Sequence, residues 1–209
     1  MPMLLTTCAS CAAPLSFEAP RCVRCKTRYC NATCQHEHWR RGHKQICKKI
    51  HRGGGAEQYH ADKKYKEAVA FAVEACAEYI PEDATCYICL EDTGEGLVCG
   101  CECAYSGATD TSFVHLSCLV RRARMVVEDD YDYNSDADPV LSLNSRWTRW
   151  RSCGVCKCVF DNDLYPALGW ACWKTYLSRP EDDQLRIFAI TGLGIFLEST
   201  LQSSFDRAE

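Results

Sequence analysis

The stretch YCNATCQHEHWRRGHKQIC, Tyr29–Cys47, holds three cysteines, three histidines and a tryptophan within nineteen residues. Read outward, it joins a longer series: Cys8-x2-Cys11, Cys22-x2-Cys25, Cys30-x3-Cys34 and His43-x3-Cys47, eight ligand-type side chains in four pairs. A tetrahedral Zn²⁺ takes four such ligands, usually as two pairs. A C-x2-C loop is short enough for both sulfurs to converge on one ion. The x3 spacings put ligands about one helical turn apart on one helix face. The quoted stretch therefore reads as two short helical turns, each supplying a pair. A segment of about 40 residues cannot build a sufficient core alone. Metal binding supplies the missing folding energy, about 10–16 kcal/mol per zinc in small fingers.

The chain has 209 residues, 47% of them apolar and 25% charged, a globular and soluble balance with room for one large or two to three small domains. Its outlier is cysteine, with 18 residues. The opening MPMLLTTCASCAAP has no basic start and no sustained apolar core, so no secretory signal is expected. The longest apolar run, Ile187–Leu197, is far below the roughly 20 residues of a membrane span. The expectation is an intracellular location, cytoplasmic or nuclear, where paired C-x2-C motifs read as metal sites rather than disulfides. Charge is uneven, with net +8 through Arg52 and net −12 beyond it. A basic head can bind nucleic acid. Here only Tyr29 and Trp39 lie near the charges, and no stacking platform is visible. Basic residues around negative thiolates are the simpler explanation, so neither nucleic acid nor membrane is an expected partner.

On these residues, and on "YC" at Cys30, "CQ" at Cys34–Gln35, "HW" at His38–Trp39 and the closing "GHKQIC", the segment Cys8–Cys47 resembles a MYND zinc finger. The resemblance implies interleaved pairs: Cys8, Cys11, Cys30 and Cys34 on one zinc, and Cys22, Cys25, His43 and Cys47 on the other. His36 and His38 are then exposed or packing residues, with His38 the rival to His43. MYND fingers are protein-interaction modules that bind short proline-containing peptides. The resemblance puts Gln35 and Trp39 near such a groove; the alternative for Trp39 is the module's core aromatic.

A second series follows: Cys86-x2-Cys89, Cys101-x-Cys103, His115-x2-Cys118 and Cys153-x2-Cys156. With "CYIC", "CECAYSG", "FVHLSCL" and a tryptophan shortly before "CGVCKCVF", it resembles the RING-variant (RING-CH) finger. That resemblance implies Cys86, Cys89, His115 and Cys118 on one zinc, and Cys101, Cys103, Cys153 and Cys156 on the other. Within "VCGCEC" the spacing alone also allows Cys99 with Cys101; the family's arrangement favours Cys101 with Cys103. "ATDT" before "SFVH" looks inserted, and the stretch between Cys118 and Cys153 is long. Four structural Zn²⁺ ions are expected in all. Of the remaining cysteines, Cys76 and Cys172 lie on apolar helical stripes and read as core residues, and Cys158 reads as a spare.

Between and after these modules the chain reads as helix. Gly53–Gly55 make a flexible break. Tyr65, Ala68, Val69, Ala72, Val73, Cys76 and Ile80 then recur at helical spacing, with Glu67, Glu74 and Glu78 facing away and Pro81 as the stop. The acidic, turn-rich Glu128–Pro139 reads as a solvated loop or a frayed helix end. The tail reads as two helices, the second starting at Pro180 with Glu181, Asp182 and Asp183 in its first turn. Leu193, Gly194, Leu197 and Ala208 resemble part of one tetratricopeptide unit, and the closing SSFDRAE reads as a second helix cut off.

The fold class expected is small zinc-stabilised α+β modules, a MYND finger and a RING-variant-like finger, joined and flanked by α-helices. The domains expected are a MYND-type finger at 8–47, a glycine linker and amphipathic helix at 48–82, a RING-variant-like finger with an acidic insertion at 83–160, and a helical tail at 161–209. That order resembles MYND-finger proteins of algae and other protists that usually continue into tetratricopeptide repeats. It implies protein or peptide partners. One candidate function is a ubiquitin ligase recruiting a ubiquitin-conjugating enzyme, with Ile88 and Leu119 at the family's contact positions or in ordinary packing. The other is a non-catalytic adaptor. Lysine methyltransferases also contain MYND fingers, but no cofactor-binding segment is visible here. Full sets of four protein ligands leave no open position for a catalytic water, so no catalytic residue is expected.

Overall fold

Asn31 opens the first helix. Its side chain accepts the Cys34 N–H at 2.9 Å from an extended backbone position, a standard cap geometry. The helix, α1 (Ala32–His38), runs into a π-helical turn, Trp39–His43, in which Gly42 stands at φ 134°. Only glycine adopts that angle without strain. The kink separates α1 from α2 (Lys44–Arg52), so Cys34 and Cys47 sit on two distinct helical pieces.

The structure is a computed structural model that describes residues 6–16, 18–101, 103, 113–129, 139–160 and 163–206. Most of the acidic Glu128–Pro139 stretch, the "ATDT" segment and Ala208 lie outside these residues. The chain divides into two compact units, Met1–Lys64 and Tyr65–Glu209. The division falls inside α3 (Ala56–Cys76) rather than at the glycines. Gly53–Gly55, expected as a loose break, form a hydrogen-bonded turn. Gly54 and Gly55 stand at φ 86° and 98°, the Gly55 N–H donates to the Ile50 carbonyl at 3.0 Å, and the Ala56 N–H donates to the Cys25 carbonyl at 2.7 Å.

The first unit has a thin core. Apart from cysteines, its buried apolar cluster is Tyr29, Ile50 and Ala56, with Leu15 and Tyr59 partly buried against it. The second unit is better filled. All seven residues of the α3 stripe join one cluster there with Leu97, Val98, Val114, Leu116, Leu119, Leu164, Leu168 and Phe196. The α3 helix ends in a 3-10 turn, Ala77–Tyr79, just before Pro81. Strands β1 (Leu97–Val98) and β2 (Val114–His115) pair antiparallel, with Leu97 opposite His115. Helix α4 (Leu116–Asp129) follows β2 without a break, which holds His115 and Cys118 close along the chain.

Helices α5 (Pro139–Trp147), α6 (Tyr165–Tyr176) and α7 (Gln184–Asp206) complete the second unit. Trp147 packs tilted against Tyr176 and edge-on against Phe188, with ring centroids 5.5 and 5.3 Å apart, and Trp150 meets Tyr176 edge-on at 6.1 Å. Trp150 and Tyr176 are fully buried, and burying a large apolar side chain contributes about 1.5–3 kcal/mol. Helix α7 begins at Gln184, four residues after Pro180, where the sequence predicts the start. The reason is Asp183, whose Oδ1 accepts the N–H groups of Leu185 and Arg186 at 2.9 and 3.2 Å and caps the helix. Among the described residues, no helix is long and apolar enough to cross a membrane.

Candidate metal centres

The four C-x2-C pairs fold into the same turn. In each, the N–H four residues after the first cysteine donates back to that cysteine's carbonyl: Ala12 to Cys8 at 2.9 Å, Lys26 to Cys22 at 2.9 Å, Leu90 to Cys86 at 2.7 Å and Lys157 to Cys153 at 3.1 Å. The first cysteine's own N–H donates to the carbonyl one residue further on, at Ala13, Thr27, Glu91 and Cys158. The residue after each second cysteine stands in the left-handed region, with Ala12, Lys26, Leu90 and Lys157 at φ 60–65°. Among the described residues these are the non-glycine positions with positive φ. Such a conformation costs about 1–3 kcal/mol and persists only where the surroundings over-determine it. Its recurrence at one position of four turns ties the strain to the turn that aims paired sulfurs.

Sixteen side chains, eight of them from these turns, come together in four groups: Cys8, Cys11, Cys30, Cys34; Cys22, Cys25, His43, Cys47; Cys86, Cys89, His115, Cys118; and Cys101, Cys103, Cys153, Cys156. Within each group the donor atoms all lie within 4.8 Å of one another. Tetrahedral Zn–S bonds of 2.3 Å put sulfurs about 3.8 Å apart. The distances here bracket that value: Cys11–Cys30 3.4 Å, Cys11–Cys34 3.7 Å, Cys22–Cys47 3.8 Å and Cys103–Cys153 4.0 Å. His43 turns Nε2 to Cys25 at 3.3 Å, whereas His115 turns Nδ1 to Cys89 at 3.3 Å. All eighteen cysteines are free thiols, with no disulfide. Each group can hold one zinc ion, and each supplies four protein donors.

The electrostatics suit a cation. Burial pushes the Cys8 thiol up, but the backbone N–H groups of Cys11, Cys30 and Ser10 outweigh it and bring it to about 6. Cys86 reaches about 7 in the same way, against burial, through the N–H groups of Cys89, His115 and Ile88. Their neighbours move the opposite way. Hydrogen bonding to Cys11 and Cys8 drives Cys30 up to about 12, and burial with Cys89 and Cys86 drives Cys118 to about 12. Close-set thiols cannot all ionise beside one another. A divalent ion removes that conflict, because a coordinating thiol is deprotonated outright.

The first two groups interleave along the chain, with pairs one and three on one centre and pairs two and four on the other. Residues 8–47 match the MYND finger. Over 41 residues the chain is 54% identical to ubiquitin C-terminal hydrolase 15 of Oryza sativa subsp. japonica, covering 19% of this chain and 4% of that protein. Over 42 residues it is 50% identical to ubiquitin carboxyl-terminal hydrolase 17 of Arabidopsis thaliana, covering 20% of this chain and 5% of that protein. The chain thus spans a small fraction of the length of these curated relatives. No solved structure matches it. The MYND finger is a zinc-binding protein-interaction module.

Inside the MYND finger, Tyr29 is the buried aromatic, at 0% exposure, while Trp39 is 40% exposed. The Tyr29 hydroxyl meets His38 Nδ1 at 3.0 Å, and burial with the neighbouring thiols raises the phenol. His38 stacks on His43 at 4.8 Å between centroids, and Trp39 meets His43 edge-on at 5.9 Å. Among the described residues, His43 Nδ1 and His115 Nε2 are buried without a hydrogen-bond partner. Metal-binding histidines usually donate that second nitrogen. Here packing orients the His43 ring instead. Gln35 is half-buried on α1, four residues before Trp39.

In the second unit Cys103, not Cys99, stands with Cys101, Cys153 and Cys156. Cys99 is buried elsewhere: its N–H donates to the Cys76 sulfur, and the Cys76 thiol donates back to its carbonyl, both at 3.2 Å. Cys172 is fully buried on α6, where burial holds its thiol well above the ordinary value. Cys158 supplies the carbonyl of the fourth turn and sends its thiol to the Cys156 carbonyl at 3.7 Å. Ile88 is half-buried against the core, and Leu119 is 7% exposed. Sequence reasoning missed the left-handed position after each second cysteine. Glycine there would have signalled it, but Ala12, Lys26, Leu90 and Lys157 carry no such mark.

Proposed function

We propose that the chain is a zinc-built protein-interaction protein in which the MYND finger captures a peptide and a RING-variant-like finger in the second unit recruits a ubiquitin-conjugating enzyme. The observation that carries this reading is the interleaving of the second set of ligand pairs, Cys86/Cys89 with His115/Cys118 and Cys101/Cys103 with Cys153/Cys156. Four protein donors at each centre leave no place for a reacting water, so zinc here is structural and the chain's work is positioning. Exposure of Trp39, with Gln35 one helical turn earlier, supports a peptide groove on the MYND finger. The α6–α7 helix pair supports reading the tail as tetratricopeptide-like.

The deciding experiment is autoubiquitination in vitro against a panel of conjugating enzymes, with zinc measured on the same sample. Ubiquitin chains formed by protein holding four zinc ions, and lost on Cys89→Ser, support the ligase reading. Full zinc with no transfer by any conjugating enzyme refutes it and leaves a non-catalytic adaptor. Burial of Leu119 and half-burial of Ile88 favour that second reading, since both side chains serve packing.

A further inference from the structure

Gly154 lies inside the fourth turn, between Cys153 and Cys156. The point where a Cβ would stand on it is 3.2 Å from the Arg122 guanidinium and 3.3 Å from Arg149 Nη1. Two cationic groups therefore converge on one glycine from different elements: Arg122 from α4, and Arg149 from the 3-10 turn Thr148–Trp150. The ion pairs seen among the described residues use other arginines, namely Arg41, Arg124 and Arg179. Arg122 donates to the Tyr87 hydroxyl at 3.4 Å. Tyr87, Leu119, Arg122, Arg149, Ser152 and Gly154 line a shallow depression with Leu119 in its wall.

Like charges brought close repel, and an anion between them turns that repulsion into attraction. Guanidinium forks match the paired oxygens of a carboxylate or phosphoryl group. Glycine adds no side chain between the two guanidinium groups, whereas a Cβ there would press on both. We propose that Arg122, Arg149 and the Tyr87 hydroxyl form a receptor for one oxyanion, a carboxylate or phosphoryl group carried on a side chain of a protein partner. A polyanion such as nucleic acid does not fit: the seat takes a single group, and the chain beyond Arg52 carries net −12. The site requires an anionic partner whether or not that partner is a conjugating enzyme. The competing explanation is charge balance. A zinc ion with four thiolates is a dianion, and the two arginines would then only neutralise the centre of Cys101, Cys103, Cys153 and Cys156.

The test uses the zinc-loaded full chain and follows arginine side-chain Nε–Hε signals by NMR, assigned with Arg122→Gln and Arg149→Gln. The probes are blocked phosphoserine, blocked glutamate and, as the neutral control, blocked serine. The expected result is saturable movement of the Arg122 and Arg149 signals with phosphoserine or glutamate but not serine, the tighter probe naming the source of the anion. Either single substitution should weaken binding about tenfold. Gly154→Ala should weaken it comparably with zinc content unchanged. Signals that move no more than that of Arg151 would overturn the proposal. So would loss of one zinc ion in the Arg122→Gln and Arg149→Gln proteins with no probe bound by the parent.

Discussion

Replacing Leu90 by glycine should stabilise the zinc-loaded protein. Leu90 holds φ 64° and closes the third turn through its N–H to the Cys86 carbonyl at 2.7 Å. Its side chain is 76% exposed, so removing it uncovers little apolar surface. An L-residue in the left-handed region is disfavoured by about 1–2 kcal/mol. Glycine relieves this but costs about 0.5–1 kcal/mol in unfolded-chain entropy. The difference is a gain of about 0.5–1 kcal/mol, which in a chain of this size raises Tm by roughly 1–4 °C. Because folding and metal binding are linked at such sites, zinc release to a colorimetric chelator should slow roughly two- to fivefold. Leu90→Val should do the reverse, since a β-branched residue at positive φ is a true outlier. The assay is thermal unfolding and chelator competition on the two variants beside the parent. A Tm for Leu90→Gly at or below that of Leu90→Val would refute the idea that the four turns store backbone strain.

Cys103→Ser should lower bound zinc by about one ion per chain, while Cys99→Ser keeps full zinc; elemental analysis showing the opposite pattern would reverse the assignment. Cys22→Ser should unfold its own unit, because that unit's core is little more than Tyr29 and Ile50 around the ligands. Hydrogen exchange should then rise within residues 6–64. Gly169→Ala should destabilise by about 1–3 kcal/mol, since its Cβ would meet Phe196 at 2.8 Å; a chemical-denaturation midpoint equal to the parent's would count against a close α6–α7 approach. Asp183 is raised by burial but lowered more by the Arg179 guanidinium and the Arg186 and Leu185 N–H groups, so its folded pKa is depressed. Its contribution is therefore present above the unfolded value near 3.9 and lost as pH falls through the lower folded value. Asp183→Ala should cost about 1 kcal/mol at pH 7 and progressively less as pH falls through that lower value.

Ligand chemistry and helical periodicity were legible along the chain because both are local. Four C-x2-C and x3 spacings announce paired donors without any knowledge of the fold. The recurrence of Tyr65, Ala68, Val69, Ala72, Val73, Cys76 and Ile80 announces one buried helix face, and in the second unit that face does join the core. Turn residues were less reliable. Pro180 and the acidic residues after it marked a helix start, but the cap is Asp183, and which of several acids captures the first free N–H groups depends on the bend before them. Gly53–Gly55 permitted a loose break, yet two positive φ angles and a bond to the Cys25 carbonyl make a turn.

What only the tertiary structure decided are the choices between equivalent local options. Cys99 and Cys103 are equally spaced from Cys101, and alternation along an extended segment suits both. Only the docking of Cys76 against Cys99 and the arrival of Cys153 at Cys103 separate them. The same holds for His38 and His43, which differ by five residues across a kink at Gly42 that periodicity cannot reveal. Which ring nitrogen faces the thiols, Nε2 in His43 and Nδ1 in His115, follows from the direction of the local backbone. The meeting of Arg122 and Arg149 over Gly154 joins two residues far apart in sequence. Identity and spacing determine which atoms can bind a metal. Where chain segments distant in sequence meet is set by packing across the whole unit, and no window of neighbouring residues contains it.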